Sequence, residues 1–479
     1  MKIGSDEHLR LLSVARGELP PDLLIKGGTV ANVYSGEFLA GNVAVVGDSI
    51  AYVGKREIEP GPETTVVDAT NKYVTPGYIE AHNHPWAMYN PVSLAGKVLP
   101  LGATTVVADT LFFQMQLGLD GLERMLDDLR DLPLHYLWVA RLISQSRFES
   151  EREMFPIEGV RRLLDRDDVV GTAEVTRWMD LAAGDADVLA GIAAARERGK
   201  ISDGHTGGAS ENRLPALVAA GIDADHEAIT KEELLHRLRL GLWTMMRHSS
   251  LRPDLPELRR AVTEDGINPS RLIMTTDGAS PEYLARDGFV DGMLRIAVGE
   301  GLQPMTALQM VTVNPATWLG LDRDIGGVAP GRRAGILVLP DLESFVPETV
   351  ISSGRVVAKN GELLAGMPDL DWSDYGSEPR FSAKLPLEDS TFFTPTGEIL
   401  DLPIMDFKTT VITAGGEAVK AGDEPLEPGL LHSALLDREG EYVSRAFVRN
   451  FATDLDGFAS TYNTTTELLV VGRDAASMA

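Results

Sequence analysis

The chain has 479 residues, of which 44% are apolar and 24% are charged, and this composition excludes intrinsic disorder and allows a large buried core. Its 44 lysines and arginines against 71 aspartates and glutamates give a net charge of −27, which disfavours general binding to nucleic acid or anionic membranes. The lack of cysteine excludes disulfides, thiolate zinc sites and cysteine nucleophiles.

The first residues and the apolar runs of the sequence bear on the predicted location of the protein. The first residues, MKIGSDEHLRLLSVARG, contain no apolar core of signal-peptide length. No stretch approaches the run of about 18 apolar residues that a membrane span requires. We therefore predict a cytoplasmic enzyme with a small-molecule substrate and with neither nucleic acid nor a membrane as partner.

Two strand-rich blocks flank a long central region. Residues 1–75 begin with a short polar helix and continue as β-branched runs separated by Gly and Asn turns. Residues 323–372 contain a second such block, with an Ile336–Leu339 strand and the hairpin signal Asn360-Gly361. This arrangement predicts one composite β-sandwich built from both sides of a central domain.

The central region, residues 76–322, alternates apolar runs with helical patterns such as 187–199 and 231–241. With a strand placed before Pro76-Gly77 it contains eight strands, the number and length of a (β/α)8 TIM barrel, although an open doubly wound sheet fits the count as well. Residues 373–479 change in character and predict a small C-terminal α+β domain, so the overall class is α/β. The other predicted strands are 104–109, 134–142, 169–175, 201–205, 222–226, 242–246 and 271–277.

Histidines and carboxylates cluster at the predicted C-terminal strand ends, where the reacting groups of such a barrel converge. In PGYIEAHNH, His82 and His84 are two residues apart, so both imidazoles can reach one cation. Glu227 follows a histidine directly and is placed to exchange protons with a bound substrate. The complete candidate set is His82, His84, Glu174, His205, His226, Glu227 and Asp277.

Five of these residues also have a purely structural interpretation. The His-x-His pair fits an exposed loop, and His205 in DGHTGG fits a loop cap. Asp277 ends the apolar run RLIMTTD and fits the N-cap of the next helix, while Glu174 fits a solvated loop. Together, however, imidazoles and carboxylates are ligands suited to Mn, Fe or Zn.

Several segments resemble the amidohydrolase superfamily, and within it the adenine deaminases. The more specific ones are GIDADHE and the pair NPATWLG and GGVAPGRRAG, whereas HNH alone is not specific. Other matching segments are DLLIKGGTVANVYSGE, LGATTVVAD, SDGHTGG and TTDG.

The resemblance implies a site with two divalent cations, Mn or Fe with Zn as an alternative, and a role for each candidate residue. His82 and His84 would bind one cation with Asp277, and Glu174 would bridge both cations. His205 and His226 would hold the second cation. A hydroxide between the metals would attack the substrate, Asp277 would orient it and accept its proton, and Glu227 would carry protons to the ring nitrogen and the departing ammonia.

One feature of the sequence bears on the bridging ligand. Many amidohydrolases that open cyclic amides use a carboxylated lysine on the fourth barrel strand. No lysine occurs between Lys97 and Lys200, so Glu174 is the plausible bridge. This favours a deaminase-like enzyme over a hydantoinase-like one.

The presumed substrate pocket departs from the adenine deaminase pattern. Pro85-Trp86-Ala87 replaces Ile-Glu-Ser, and the segment after Asp109 is Thr-Leu-Phe-Phe rather than Pro-His-Glu. Gly278 stands where the family has a second aspartate. We therefore expect Trp86, Asp109 and Phe112 to contact the substrate.

The sequence thus predicts a hydrolytic deaminase of adenine or a related aromatic heterocycle. Cleavage of a different C–N bond in the same site is the alternative, and a non-catalytic barrel is the third interpretation. A homo-oligomer is suggested by family analogy alone.

Overall fold

The computed structural model describes residues 5–85, 89–148, 150–376, 400–408, 413–421, 427–437, 442–465 and 467–479. These residues form two compact units, the first comprising 1–143 and 150–375 and the second comprising 144–149 and 376–479. Among the described residues, no helix combines the length and apolar content that crossing a membrane requires.

The centre of the first unit is a barrel of eight parallel strands, which confirms the predicted fold class. Its strands are almost entirely buried, as expected for parallel strands covered on both faces. In sequence order, which is also their order around the barrel, they are β6 (Tyr78–Asn83), β7 (Ala103–Asp109), β8 (His135–Ala140), β9 (Val169–Val175), β10 (Ile201–Gly204), β11 (Ala224–Asp225), β12 (Trp243–Arg247) and β13 (Leu272–Thr275).

The prediction for the first barrel strand was wrong in its position. Tyr73–Pro76, which precedes Gly77, is strand β5 and pairs with β14 (Ile336–Leu339) in another sheet. The barrel begins only at Tyr78, because Gly77 lies against Thr104, too close for a side chain, and lets the chain pass between the two sheets.

Helices surround the barrel strands and pack on their outer apolar side chains. A separate apolar cluster, which includes Val107, Leu137 and Ile273, fills the barrel itself. Helix α1 (Ser5–Arg16) packs instead on strands Glu37–Val46 and Ser49–Gly54 of another sheet. The helices of the barrel region are α2 (Pro91–Val98), α3 (Leu111–Asp128), α4 (Glu151–Met154), α5 (Ile157–Leu164), α6 (Trp178–Ala182), α7 (Ala186–Glu197), α8 (Leu214–Ala219), α9 (Lys231–Arg239), α10 (Leu255–Leu258), α11 (Arg260–Thr263), α12 (Pro281–Asp287), α13 (Val290–Gly299), α14 (Pro304–Met310) and α15 (Val313–Trp318).

The barrel is closed between its first and last strands by a side chain. Glu80 on β6 is fully buried, and its Oε2 accepts hydrogen bonds from the backbone nitrogen (3.0 Å) and hydroxyl (2.8 Å) of Thr276, which follows β13. Thr275 donates to the other oxygen. Because the same carboxylate also accepts from the backbone of His82, it connects two of the strand ends that carry site residues.

Strands from both sides of the barrel region form one nine-stranded sheet, as the flanking blocks predicted. The Asn360-Gly361 hairpin is present, with φ of 52° and 79°, the left-handed pair that a tight turn favours. The remaining strands of this sheet are β1 (Leu23–Asn32), β2 (Glu37–Val46), β3 (Ser49–Gly54), β4 (Thr65–Asp68), β15 (Thr349–Ser352), β16 (Arg355–Lys359) and β17 (Glu362–Leu363).

The second compact unit contains a six-stranded sheet in the order β19-β18-β21-β20-β23-β22. Its strands pair antiparallel except for β18 and β21, which are parallel. A short helix, α16 (Ala475–Met478), packs on its last strand. The strands are β18 (Leu400–Phe407), β19 (Thr413–Ala421), β20 (Leu430–Leu436), β21 (Val443–Arg449), β22 (Gly457–Ser460) and β23 (Leu468–Gly472).

Candidate metal centre

His82 and His84 converge with Asp277 at one edge of the barrel mouth. The Nε2 atoms of the two imidazoles are 3.2 Å apart, and each lies 3.0 Å from Asp277 Oδ1. Asp277 follows β13 with φ of 55°, a left-handed conformation that is uncommon for a residue with a side chain. The structure therefore places these three predicted residues side by side.

Each imidazole of this pair is oriented by a carboxylate on its other nitrogen. His82 Nδ1 lies 2.7 Å from Asp203 Oδ2, and His84 Nδ1 lies 3.2 Å from Asp109 Oδ2. With Nδ1 facing these carboxylates, the Nε2 atom of each ring is directed at Asp277. Carboxylate-oriented histidines of this kind are typical metal ligands.

A second group forms around Glu174 on β9. Glu174 Oε2 lies 2.8 Å from His205 Nδ1 and 3.3 Å from His226 Nε2. Glu227 Oε1 lies 3.8 Å from the same nitrogen of His205 and 3.6 Å from that of His226. The structure thus brings all seven candidate residues into one cluster.

The ionisation of this cluster is set by its own charges. Burial opposes protonation of His84, but Asp109, Asp277 and Glu174 outweigh it and raise its pKa to about 9. The pKa of His205 also rises to about 9, because Glu174 and Glu227 outweigh its burial. Positive charge is therefore strongly favoured among these carboxylates.

The two central carboxylates show the complementary effect. Burial would raise the pKa of Glu174, but His205, His226 and Arg141 hold it well below its usual value. Arg247 and the His-x-His pair do the same to the pKa of Asp277. Both side chains are therefore ionised acceptors.

The donor atoms fit a divalent cation. Within the part of the chain that the structure describes, neither ring nitrogen of the fully buried His226 has a hydrogen-bond partner. A buried polar atom without a partner is costly unless something else binds it. Four combinations of these residues have ligand atoms within 4.8 Å of one another: His82, Glu174 and His226; His82, His84 and Asp277; His205, His226 and Glu227; and His84, Asp109 and Glu174.

Three buried arginines belong to the same cluster, although arginine is not among the usual metal ligands. Arg141, directly after β8, contacts Asp109 and Glu174. Arg247, the last residue of β12, contacts both Glu227 and Asp277, and Arg252 holds the other oxygen of Glu227. Asp203 on β10 was missed as well. All but Arg252 lie at or beside the C-terminal end of a barrel strand, and that position is the signal that could have identified them.

The three residues predicted to contact the substrate each have a different outcome. Trp86 lies outside the described residues. Phe112 is partly buried in the first turn of α3. Both oxygens of Asp109 are engaged within the protein, Oδ1 by the Leu111 backbone nitrogen at 2.8 Å and Oδ2 by Arg141 at 3.0 Å.

An eight-stranded parallel barrel with imidazoles and carboxylates converging at its C-terminal strand ends defines a metal-dependent barrel enzyme. The sequence profile of the amidohydrolase family matches residues 73–357. The chain belongs to the amidohydrolase family.

Individual relatives extend the similarity beyond the barrel. A putative adenine deaminase of Halalkalibacterium halodurans is 32% identical, over 96% of this chain and 79% of that protein. An adenine deaminase of Moorella thermoacetica is 33% identical, over 98% of this chain and 81% of that protein. The solved structure of a beta-aspartyl dipeptidase from Fervidobacterium islandicum AW-1 covers 73% of this chain and 99% of its own, with a TM-score of 0.54 and 18% identity, which shows a shared fold.

Proposed function

We propose that this protein is a metal-dependent hydrolase that deaminates adenine or a related amino-substituted heterocycle. The observation that carries the proposal is the convergence of the His82 and His84 Nε2 atoms on Asp277 beside the Glu174 group. The relatives named adenine deaminase support the choice of reaction, since they match along most of the chain.

The two ligand groups support two divalent cations per chain. His82, His84 and Asp277 would hold one cation. His205 and His226, which both face Glu174 Oε2, would hold the other with Glu174. Mn or Fe suits such imidazole and carboxylate ligands, with Zn as the alternative. When bound, the cations supply Lewis-acid chemistry that makes water a nucleophile near neutral pH.

Glu227 is the residue that we assign to proton transfer. Its two oxygens are held separately, Oε1 by Arg247 at 2.9 Å and Oε2 by Arg252 at 2.7 Å, so the plane of the carboxylate is fixed. Oε1 faces His205 and His226. From this place the carboxylate would deliver one proton to the ring nitrogen and a second to the departing ammonia.

Asp277 would orient the attacking water and accept its proton. Arg247 contacts the second oxygen of Asp277 as well as Glu227, and therefore fixes the spacing of the two carboxylates between which the proton moves. In the net reaction, water oxygen replaces the exocyclic amino group, and ammonia leaves.

The substrate contacts expected for Trp86, Asp109 and Phe112 stay a prediction. Aromatic side chains in place of polar ones favour a heterocycle with more apolar surface than adenine. Since a site that hydrogen-bonds one base rejects analogues strongly, changes of this kind alter specificity without altering the metal ligands.

The proposal is tested by ammonia release from enzyme loaded with Mn²⁺ or Fe²⁺. We expect release from adenine or from another member of a panel of 6-amino and N-substituted purines, and none from the Glu227→Gln variant. Release of a different product by C–N cleavage would replace deamination with another amidohydrolase reaction. No reaction with any member of the panel would contradict the proposed substrate class.

A further inference from the structure

Arg141 lies inside one of the four possible ligand groups. Its Nη1 is 3.0 Å from Asp109 Oδ2 and 3.3 Å from Glu174 Oε1, and its side chain is completely buried. His84, Asp109 and Glu174 form one of the possible ligand groups, and the two oxygens that contact Arg141 lie 3.2 Å from His84 Nδ1 and 3.6 Å from His84 Nε2. The guanidinium therefore occupies a corner in which three ligand atoms already converge.

We propose that Arg141 is a permanent substitute for a cation in this corner, and that it is the positioning residue for Glu174. The inference rests on the proposal that the cluster as a whole holds divalent metal. It assigns to this chain a metal centre in which one ligand group is closed by a protein side chain.

Each nitrogen of the guanidinium has a hydrogen-bond partner within the protein. Its Nε donates to the backbone oxygen of Ile143 at 3.1 Å, while Nη1 and Nη2 both reach Glu174 Oε1, at 3.3 and 3.4 Å. Arginine cannot release its proton in a protein, so the positive charge is present at every pH at which the protein folds. A cation could bind in this corner only by displacing the guanidinium of Arg141.

The contact with Arg141 gives the two oxygens of Glu174 different partners. Oε1, which lies 3.6 Å from His84 Nε2, is bonded to Arg141, whereas Oε2 faces His205 and His226. Arg141 therefore directs Oε2 toward the second ligand group. It also leaves Asp109 as the partner of His84 Nδ1 rather than as a metal ligand.

If the guanidinium substitutes for a cation, then a cation should substitute for the guanidinium. In Arg141→Met, Asp109 and Glu174 lose their fixed positive charge and regain two free ligand oxygens. We expect the metal-free variant to melt below the metal-free wild type, and Mn²⁺ to raise its melting temperature more than that of the wild type. The Mn²⁺ concentration at half-saturation should fall by at least about tenfold.

Two control variants separate this account from a general loss of packing. Arg237→Met also removes a buried guanidinium from a carboxylate, that of Asp225, but creates no group of three ligand atoms. It should lose stability without a larger response to Mn²⁺. Arg141→Lys keeps the positive charge and should therefore respond to Mn²⁺ as the wild type does.

A larger Mn²⁺ response confined to Arg141→Met, with more Mn²⁺ retained per chain in equilibrium dialysis, supports the proposal. An equal response in Arg141→Met and wild type, or a larger response in Arg237→Met or Arg141→Lys, overturns it. Should Arg141→Met not fold without metal, refolding with Mn²⁺ must rescue it, and failure in both conditions overturns the proposal. A wild type that binds no Mn²⁺ would refute the proposed function, whereas a wild type that binds Mn²⁺ beside an Arg141→Met variant with no larger response overturns only the role of Arg141.

Discussion

The two ends of strand β8 carry ionisable side chains in opposite settings. His135, its first residue, lines a cavity of about 520 Å³ with Arg333 and Tyr136, and burial together with the charge of Arg333 lowers its pKa to about 3. Arg141, directly after the last residue of the strand, lies among carboxylates that raise the pKa of the neighbouring His84 to about 9.

This difference shows what distinguishes a metal centre from a buried histidine. Burial acts at both ends and by itself disfavours a charged imidazole. Only at the C-terminal end do ionised carboxylates outweigh it, so positive charge is favoured there and disfavoured at the other end. The number and placement of carboxylates, rather than the histidines themselves, therefore define where a cation fits.

The largest effect is expected from neutralising the proton-transfer residue at the C-terminal end. Glu227→Gln keeps the shape of the side chain but cannot accept a proton, so turnover should fall by about 10²- to 10⁴-fold. Metal content should stay at the wild-type level, because the ligands proposed above do not include Glu227. Elemental analysis and turnover measured on one preparation check both parts, and retained activity would contradict the assignment.

A smaller effect is expected when one orienting carboxylate is neutralised. Asp203→Asn weakens the contact that holds His82 Nδ1, so metal affinity should fall by about 10- to 100-fold. Competition with a chelator measures this affinity. Asp341→Asn, a substitution in the loop after β14 that is remote from the proposed ligands, serves as the matched control. Equal affinity in Asp203→Asn and the wild type would show that this end of the barrel does not depend on its carboxylates.

The smallest effect is expected at the opposite end of β8. The pKa of His135 is lowered in the folded state, so only the unfolded chain binds its proton as the pH falls below about 6.5. The stability present above that pH is therefore lost toward pH 3. Since the side chain is partly exposed, the loss between pH 7 and pH 5 should be about 1–2 kcal/mol. His135→Gln should lack this loss, and identical urea-unfolding profiles in wild type and variant over this pH range would contradict the account.

Much of the barrel could be predicted from the sequence because buried parallel strands leave continuous apolar runs. Strand β9, Val169–Val175, was predicted with its observed bounds. The apolar pattern predicted strand β11 over 222–226, but only Ala224–Asp225 pair with the neighbouring strands. The prediction was too long because burial extends beyond the residues that form backbone hydrogen bonds. The composite sheet was predictable because its turns carry Gly and Asn at positions of positive φ.

The candidate site was predictable only for residues whose chemistry is evident at a strand end. His82, His84 and Asp277 belong to that class. Arg141 and Asp203 do not, because an arginine or aspartate beside a strand acquires its role from partners on other strands. These partners are distant in sequence, so the position at a strand end marks such residues as candidates, but no local pattern indicates their role.

The most direct test of the central claim is elemental analysis of wild-type protein purified without chelator and reloaded with Mn²⁺. The account predicts divalent metal bound at up to two ions per chain, as the two ligand groups allow, and loss of metal in His82→Ala. Protein that binds no divalent metal under either condition, or a His82→Ala variant with undiminished metal content, would contradict it.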